Sequence, residues 1–158
     1  MKFSIILIIF LGGCIHKFQG QQQLIFNDNM LMVINEGQVV VENSDTNAIQ
    51  KFGMGGGVIS EAENHILNWK IGNEVGNYLV PFVSFDLVEI PLEVSVKTAG
   101  LGGGGITFST YATTESNTPL PTGVLAPLNC LQEENTNAVV DRFWSIEAGG
   151  YSENPDME

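Results

Sequence analysis

HILNWKIG, residues 65–72, alternates strictly: Leu67, Trp69 and Ile71 fall on one face, Asn68 and Lys70 on the other. A period of two over this length is the pattern of a half-buried antiparallel strand. The same alternation recurs in IPLEVSVKTAG (90–100), where Leu92, Val94 and Val96 oppose Glu93, Ser95 and Lys97. It returns in AVVDRFWSIEAGG (138–150), which sets Val140, Arg142, Trp144 and Ile146 against Val139, Asp141, Phe143 and Ser145.

Between these lie other strand-like runs: MLMVI (30–34), QVVVEN (38–43), VIS (58–60), NYLVPFVSF (77–85) and ITFSTYATT (106–114). Asn35-Glu36-Gly37 separates two of them and reads as a hairpin turn, with the glycine taking positive φ. Pro81 cannot donate to a ladder, so its strand is expected at an edge or a bulge. GMGGGVIS and GLGGGGIT carry no lysine after their glycines and open strands, which excludes a phosphate-cradling loop. About eight strands with turns near every ten residues predict an all-β protein. The expected form is an antiparallel β-sandwich, either jelly-roll or immunoglobulin-like. It occupies residues 21–158 as one domain, a size able to bury a core.

The first 20 residues read as a leader. Lys2 precedes an apolar run from Phe3 to Leu11, too short to span a bilayer as a mature helix. Two processing routes stay open. Cleavage after Gly20 makes residues 1–20 a signal peptide; alternatively Leu11-Gly12-Gly13-Cys14 resembles a lipobox, with a lipid anchor at Cys14. Both imply export, to the medium or the cell surface, with no membrane insertion of the mature domain. Cys130 then stands alone and forms no intrachain disulfide.

The chain carries a net charge of −12, and residues 1–20 hold none of its 18 acids. Such a surface repels phosphate backbones, which argues against nucleic-acid binding. His65 has no partner pair for zinc. The turn Glu42-Asn43-Ser44-Asp45-Thr46-Asn47 offers oxygen ligands but matches no EF-hand loop, so it reads first as a solvated turn and no cofactor is expected; calcium is the alternative, with Glu42 and Asp45 as its candidate ligands. Trp69, Tyr78, Tyr111 and Trp144 are candidate sugar-stacking residues; the tryptophans sit in core-like alternation and the tyrosines are expected to be exposed. Carboxylates are plentiful, but no spacing selects the pair a glycan-processing enzyme needs.

Taken in order, Asn68-Trp69-Lys70-Ile71-Gly72, Val80-Pro81-Phe82, Thr118-Pro119-Leu120-Pro121 and Val140-Asp141-Arg142-Phe143-Trp144 with Ile146 resemble a β-rich module of large secreted surface proteins of Bacteroidota. Those proteins often end in a type IX secretion sorting domain, which does not follow Glu158 here. This sequence is therefore read as a free-standing module or the N-terminal fragment of a longer protein. The resemblance implies a location at the cell surface more than a mechanism. The expected function is a non-catalytic structural or adhesive module whose partner is an extracellular glycan or a surface protein. The alternative is a carbohydrate-binding module; a glycan-processing enzyme is the remote one.

Overall fold

The computed structural model describes residues 22–128, 131–135 and 140–158. The leader with Cys14, together with Cys130 and Val139, lies outside them. The protein is all-β, as the alternation predicts, and no helix occurs among the described residues. Eleven strands are described: β1 Leu24–Asn27, β2 Leu31–Val33, β3 Gly37–Val41, β4 Ile49–Phe52, β5 Gly57–Ile59, β6 His65–Trp69, β7 Gly76–Val80, β8 Leu92–Thr98, β9 Gly105–Ala112, β10 Arg142–Gly149 and β11 Asp156–Met157.

The first six strands pair in parallel. Leu24 lies beside Ile49, Leu31 beside Gly57 and Gly37 beside His65, so β1, β2 and β3 are overlaid by β4, β5 and β6. The chain winds twice along the same path. Asn35-Glu36-Gly37 is therefore a corner rather than a hairpin: β2 and β3 enter different sheets, and Glu36 takes the positive φ, 50°. β5 gains a further parallel neighbour, because Val58 N–H donates to the Pro81 carbonyl and Val83 N–H to the Val58 carbonyl. Pro81 lies just past the end of β7 and contributes only its acceptor there. Gly57 sits where a Cβ would come within 2.1 Å of that same Pro81 oxygen, at φ +142°, so glycine is required.

From β7 onward the strand pairs are antiparallel, and β9 joins β6 antiparallel, which makes the larger sheet mixed. A four-stranded sheet runs β10-β9-β6-β3 and a three-stranded sheet β11-β8-β7. Leu67, Trp69, Ile106 and Phe108 of the first join Tyr78, Val80, Val94 and Val96 of the second in one buried cluster, which Phe26, Ile49 and Val58 extend. Leu92, Val94 and Val96 point inward as expected. Trp69 and Tyr78 meet edge to face across the two sheets, centroids 5.0 Å apart. Their polar tips reach consecutive carbonyls: the indole N–H donates to Asn43 (2.8 Å) and the phenol to Ser44 (3.2 Å). Both residues are fully buried, which corrects the expectation that Tyr78 is exposed. A large ring gains most from burial when its one polar atom finds an acceptor at the rim.

Arg142 closes the far edge of the larger sheet. Its Nη2 contacts both oxygens of Glu61, at 3.0 and 3.2 Å, and Nη1 reaches Thr110 Oγ1. The same carboxylate accepts the backbone N–H of Phe85 and of Ala112. Glu61 thus joins three separate segments at one point. The pair is largely shielded, with side chains 12% (Arg142) and 22% (Glu61) exposed.

Replacing Arg142 with alanine is expected to lower stability by about 1–3 kcal/mol in denaturant unfolding. Glu61→Ala is expected to cost more, about 3 kcal/mol or above, because it leaves a shielded guanidinium and two N–H groups without an acceptor. A second prediction concerns alkaline pH. Burial first, then the charges of Glu74, Tyr151 and Asp45, push the Tyr78 phenol up to about 12. An unfolded tyrosine ionises near 10, so the stabilisation is complete below pH 10 and is lost as pH rises from about 10 towards 12. Denaturant titrations at successive pH values should show this fall, and Tyr78→Phe should reduce it.

Candidate functional site

The outer face of the four-stranded sheet carries a cleft of about 570 Å³. Its floor follows from register. Tyr111 lies opposite Phe143, Ser109 opposite Ser145 and Thr107 opposite Glu147, and directly opposed residues of an antiparallel pair share a face. Ile66 of β6 extends the floor, and Pro121, Thr122 and Val124 form a wall. That wall is pinned by Glu63, whose Oε1 accepts the Thr122 N–H and whose Oε2 accepts the Thr122 hydroxyl, each at 2.6 Å.

The cleft is chemically mixed. Tyr111 and Phe143 put two tilted rings at one end, centroids 5.9 Å apart. Thr107, Ser109 and Ser145 supply hydroxyls and Glu147 an exposed carboxylate at the other. Among the described residues no lysine or arginine lines the cleft. Tyr111 is only 5% exposed, which corrects the expectation of an exposed ring, and its hydroxyl has no hydrogen-bond partner among the described residues. Tyr111 and Glu63 also border a neighbouring hollow of about 380 Å³, so they form the partition between the two spaces. Burial, and secondarily the Glu63 charge, raise the Tyr111 phenol above its ordinary value, so it stays a neutral donor at physiological pH.

The four candidate stacking residues are not brought together. Trp69 and Tyr78 belong to the core. Trp144 borders the cleft at 37% exposure, yet its register partner is Thr110, on the face turned towards the core; it is exposed because β10 is an edge strand. Only Tyr111 is buried in the cleft itself. Phe143, Thr107, Ser109, Ser145, Glu147 and Glu63 were not selected from the sequence. Their signal is present in ITFSTYA and RFWSIEAG, whose alternate residues are hydroxylic, aromatic or acidic, but it becomes a site only once the two strands are paired in register.

The candidate calcium ligands also separate. Asp45 Oδ1 accepts from Asn47 N–H at 2.7 Å and from the Asn47 amide at 3.1 Å, and Asn43 Oδ1 accepts from Asp45 N–H. These bonds shape the turn beneath Trp69 and Tyr78. Asp45 shares a shallow hollow with Asn43 and Glu74, while Glu42 borders a different one. Among the described residues no group of three or more His, Cys, Asp or Glu is arranged to hold a metal ion.

Compared with protein-family models, curated proteins and solved structures, the chain matches none.

Removing the unpaired phenol should be tolerated. Tyr111→Phe is expected to leave stability within about 1 kcal/mol of the parent, or to raise it, since a buried hydroxyl without a partner carries a desolvation cost. Thermal melting compares the two. Glu63→Ala frees Thr122 and should make the segment around residue 122 markedly more susceptible to limited proteolysis.

Proposed function

We propose that this is a non-catalytic adhesive module, secreted or held at the cell surface, whose adhesive surface is the cleft on β9 and β10. The leader-like residues 1–20, the acidic surface and the resemblance to Bacteroidota surface modules support the location. The observation that carries the function is the composition of the cleft: two rings at one end, three hydroxyls across the floor, a carboxylate at the rim and no cation among the described residues. The half-buried Phe143 ring, backed by the buried Tyr111, can accept the apolar C–H face of a sugar, while hydroxyl and carboxylate groups exchange hydrogen bonds with its hydroxyls. The surrounding negative charge disfavours anionic polymers. Neutral carbohydrate is therefore the ligand class this reading assigns, which favours the carbohydrate-binding form of adhesion over a purely structural role.

A glycan array probed with the purified chain from Gln21 onward tests this, with neutral plant, algal and bacterial polysaccharides as the decisive members. Binding should be lost in Ser145→Tyr, which fills the floor. It should weaken roughly tenfold in Glu147→Ala, the loss of one charge-assisted hydrogen bond. Both variants should melt with the parent, because Ser145 and Glu147 lie outside the buried core. Silence across the neutral glycans counts against the assignment.

A further inference from the structure

We propose that the Tyr111 hydroxyl is a ligand-binding group kept under a strap, residues 119–124, and that lifting the strap joins two cavities into one groove for a polysaccharide chain. The strap stands on geometry; the ligand role rests on the carbohydrate reading of the cleft.

Tyr111 and Glu63 border both the cleft and the neighbouring hollow. Pro119 and Leu120 line the hollow, whereas Pro121, Thr122 and Val124 line the cleft. Consecutive residues thus border first one space and then the other, so the chain crosses at the partition that Tyr111 and Glu63 form. The ring there is 5% exposed, and its hydroxyl is unpartnered among the described residues. A buried polar atom without a partner is uncommon and carries a desolvation cost. That cost is removed when a ligand supplies the missing partner.

The strap is held at few points. Upstream, the chain is fixed at Asn117, which is fully buried and whose N–H donates to the Thr114 carbonyl; the Thr114 N–H donates in turn to the Thr118 carbonyl. Downstream, Gly123 takes φ +83° with open space where a Cβ would stand, which suits a hinge. Pro119 and Pro121 have no N–H to give. Among the described residues, the hydrogen bonds that tie the strap to the rest of the protein are the two from Thr122 to Glu63. One carboxylate is therefore the latch. Its release joins the cleft of about 570 Å³ to the hollow of about 380 Å³ and bares the phenol at their junction. A groove with a donor at its middle suits an internal stretch of a neutral polysaccharide rather than a single sugar.

Nitration of the folded, ligand-free protein by tetranitromethane, mapped by mass spectrometry of its peptides, reads the strap directly. Tyr78, fully buried in the core, is the internal reference. Tyr111 should react well ahead of Tyr78, and Glu63→Ala should speed its reaction about tenfold through loss of the latch bonds. Thr122→Val keeps the carboxylate near the phenol and removes only the hydroxyl bond; it should also speed the reaction, which separates opening from the loss of a charge. Equal rates at Tyr111 and Tyr78, or a Tyr111 rate that neither variant changes, overturns the strap. On the neutral glycan array, Tyr111→Phe should weaken binding about tenfold without lowering the melting temperature, and polysaccharides should bind more tightly than their monosaccharides. Binding indifferent to Tyr111→Phe overturns the ligand role of the hydroxyl, and equal affinity for monosaccharides overturns the extended groove. Silence of every glycan while Tyr111 still becomes reactive removes the carbohydrate reading, and the ligand role with it, and leaves the strap.

Discussion

The contact between Trp69 and Tyr78 is the constraint on which the rest depends. The two rings belong to different sheets and meet edge to face with no water-accessible surface left on either. Each retains one polar atom that must be satisfied, and both find it on adjacent carbonyls of Asn43 and Ser44. The turn after β3 is consequently held from below by the core. Its own shape comes from Asn43 and Asp45 side chains folding back onto the backbone. Within a stretch that reads as a set of cation ligands, Asn43 Oδ1 and Asp45 Oδ1 are engaged in building that turn.

A second organising point is the short segment Ser60–Asn64 between β5 and β6. Ser60 exchanges hydrogen bonds with the backbone of Thr110, Glu61 gathers Phe85, Ala112 and Arg142, and Glu63 holds Thr122. Carboxylates suit this work because each has two oxygens and several lone pairs to offer N–H groups arriving from different directions. The segment links the edge of the larger sheet to the wall of the cleft, so the anchoring of Arg142 and the shape of the cleft beside Tyr111 are set by neighbouring residues of one turn.

Much of the strand content was legible. Leu67, Trp69 and Ile71, and likewise Leu92, Val94 and Val96, face the core as their alternation says. Arg142 shares its side of β10 with Trp144 and reaches a carboxylate, as a lone shielded cation should. Other features were not legible. Alternation says that a residue points inward or outward, but not which strand lies alongside or in which direction it runs. The parallel pairing of β1, β2 and β3 with β4, β5 and β6 therefore has no local signature, and Asn35-Glu36-Gly37 looks like a hairpin although it turns a corner between sheets. Aromatic residues pose the same difficulty. Tyr78 and Tyr111 carry hydroxyls that suggest the surface, while burial at both positions is decided by what packs over them.

By itself the sequence determined that the chain is all-β, where most of its strands run, which residues of β6 and β8 enter the core, and that its charge repels polyanions. Those properties depend on neighbours one or two residues apart and on composition. The tertiary structure alone decided the double winding of the first six strands, the convergence on Glu61 and the cleft. Each of these joins residues tens of positions apart, and their registers follow from packing around Trp69 and Tyr78 rather than from any local preference.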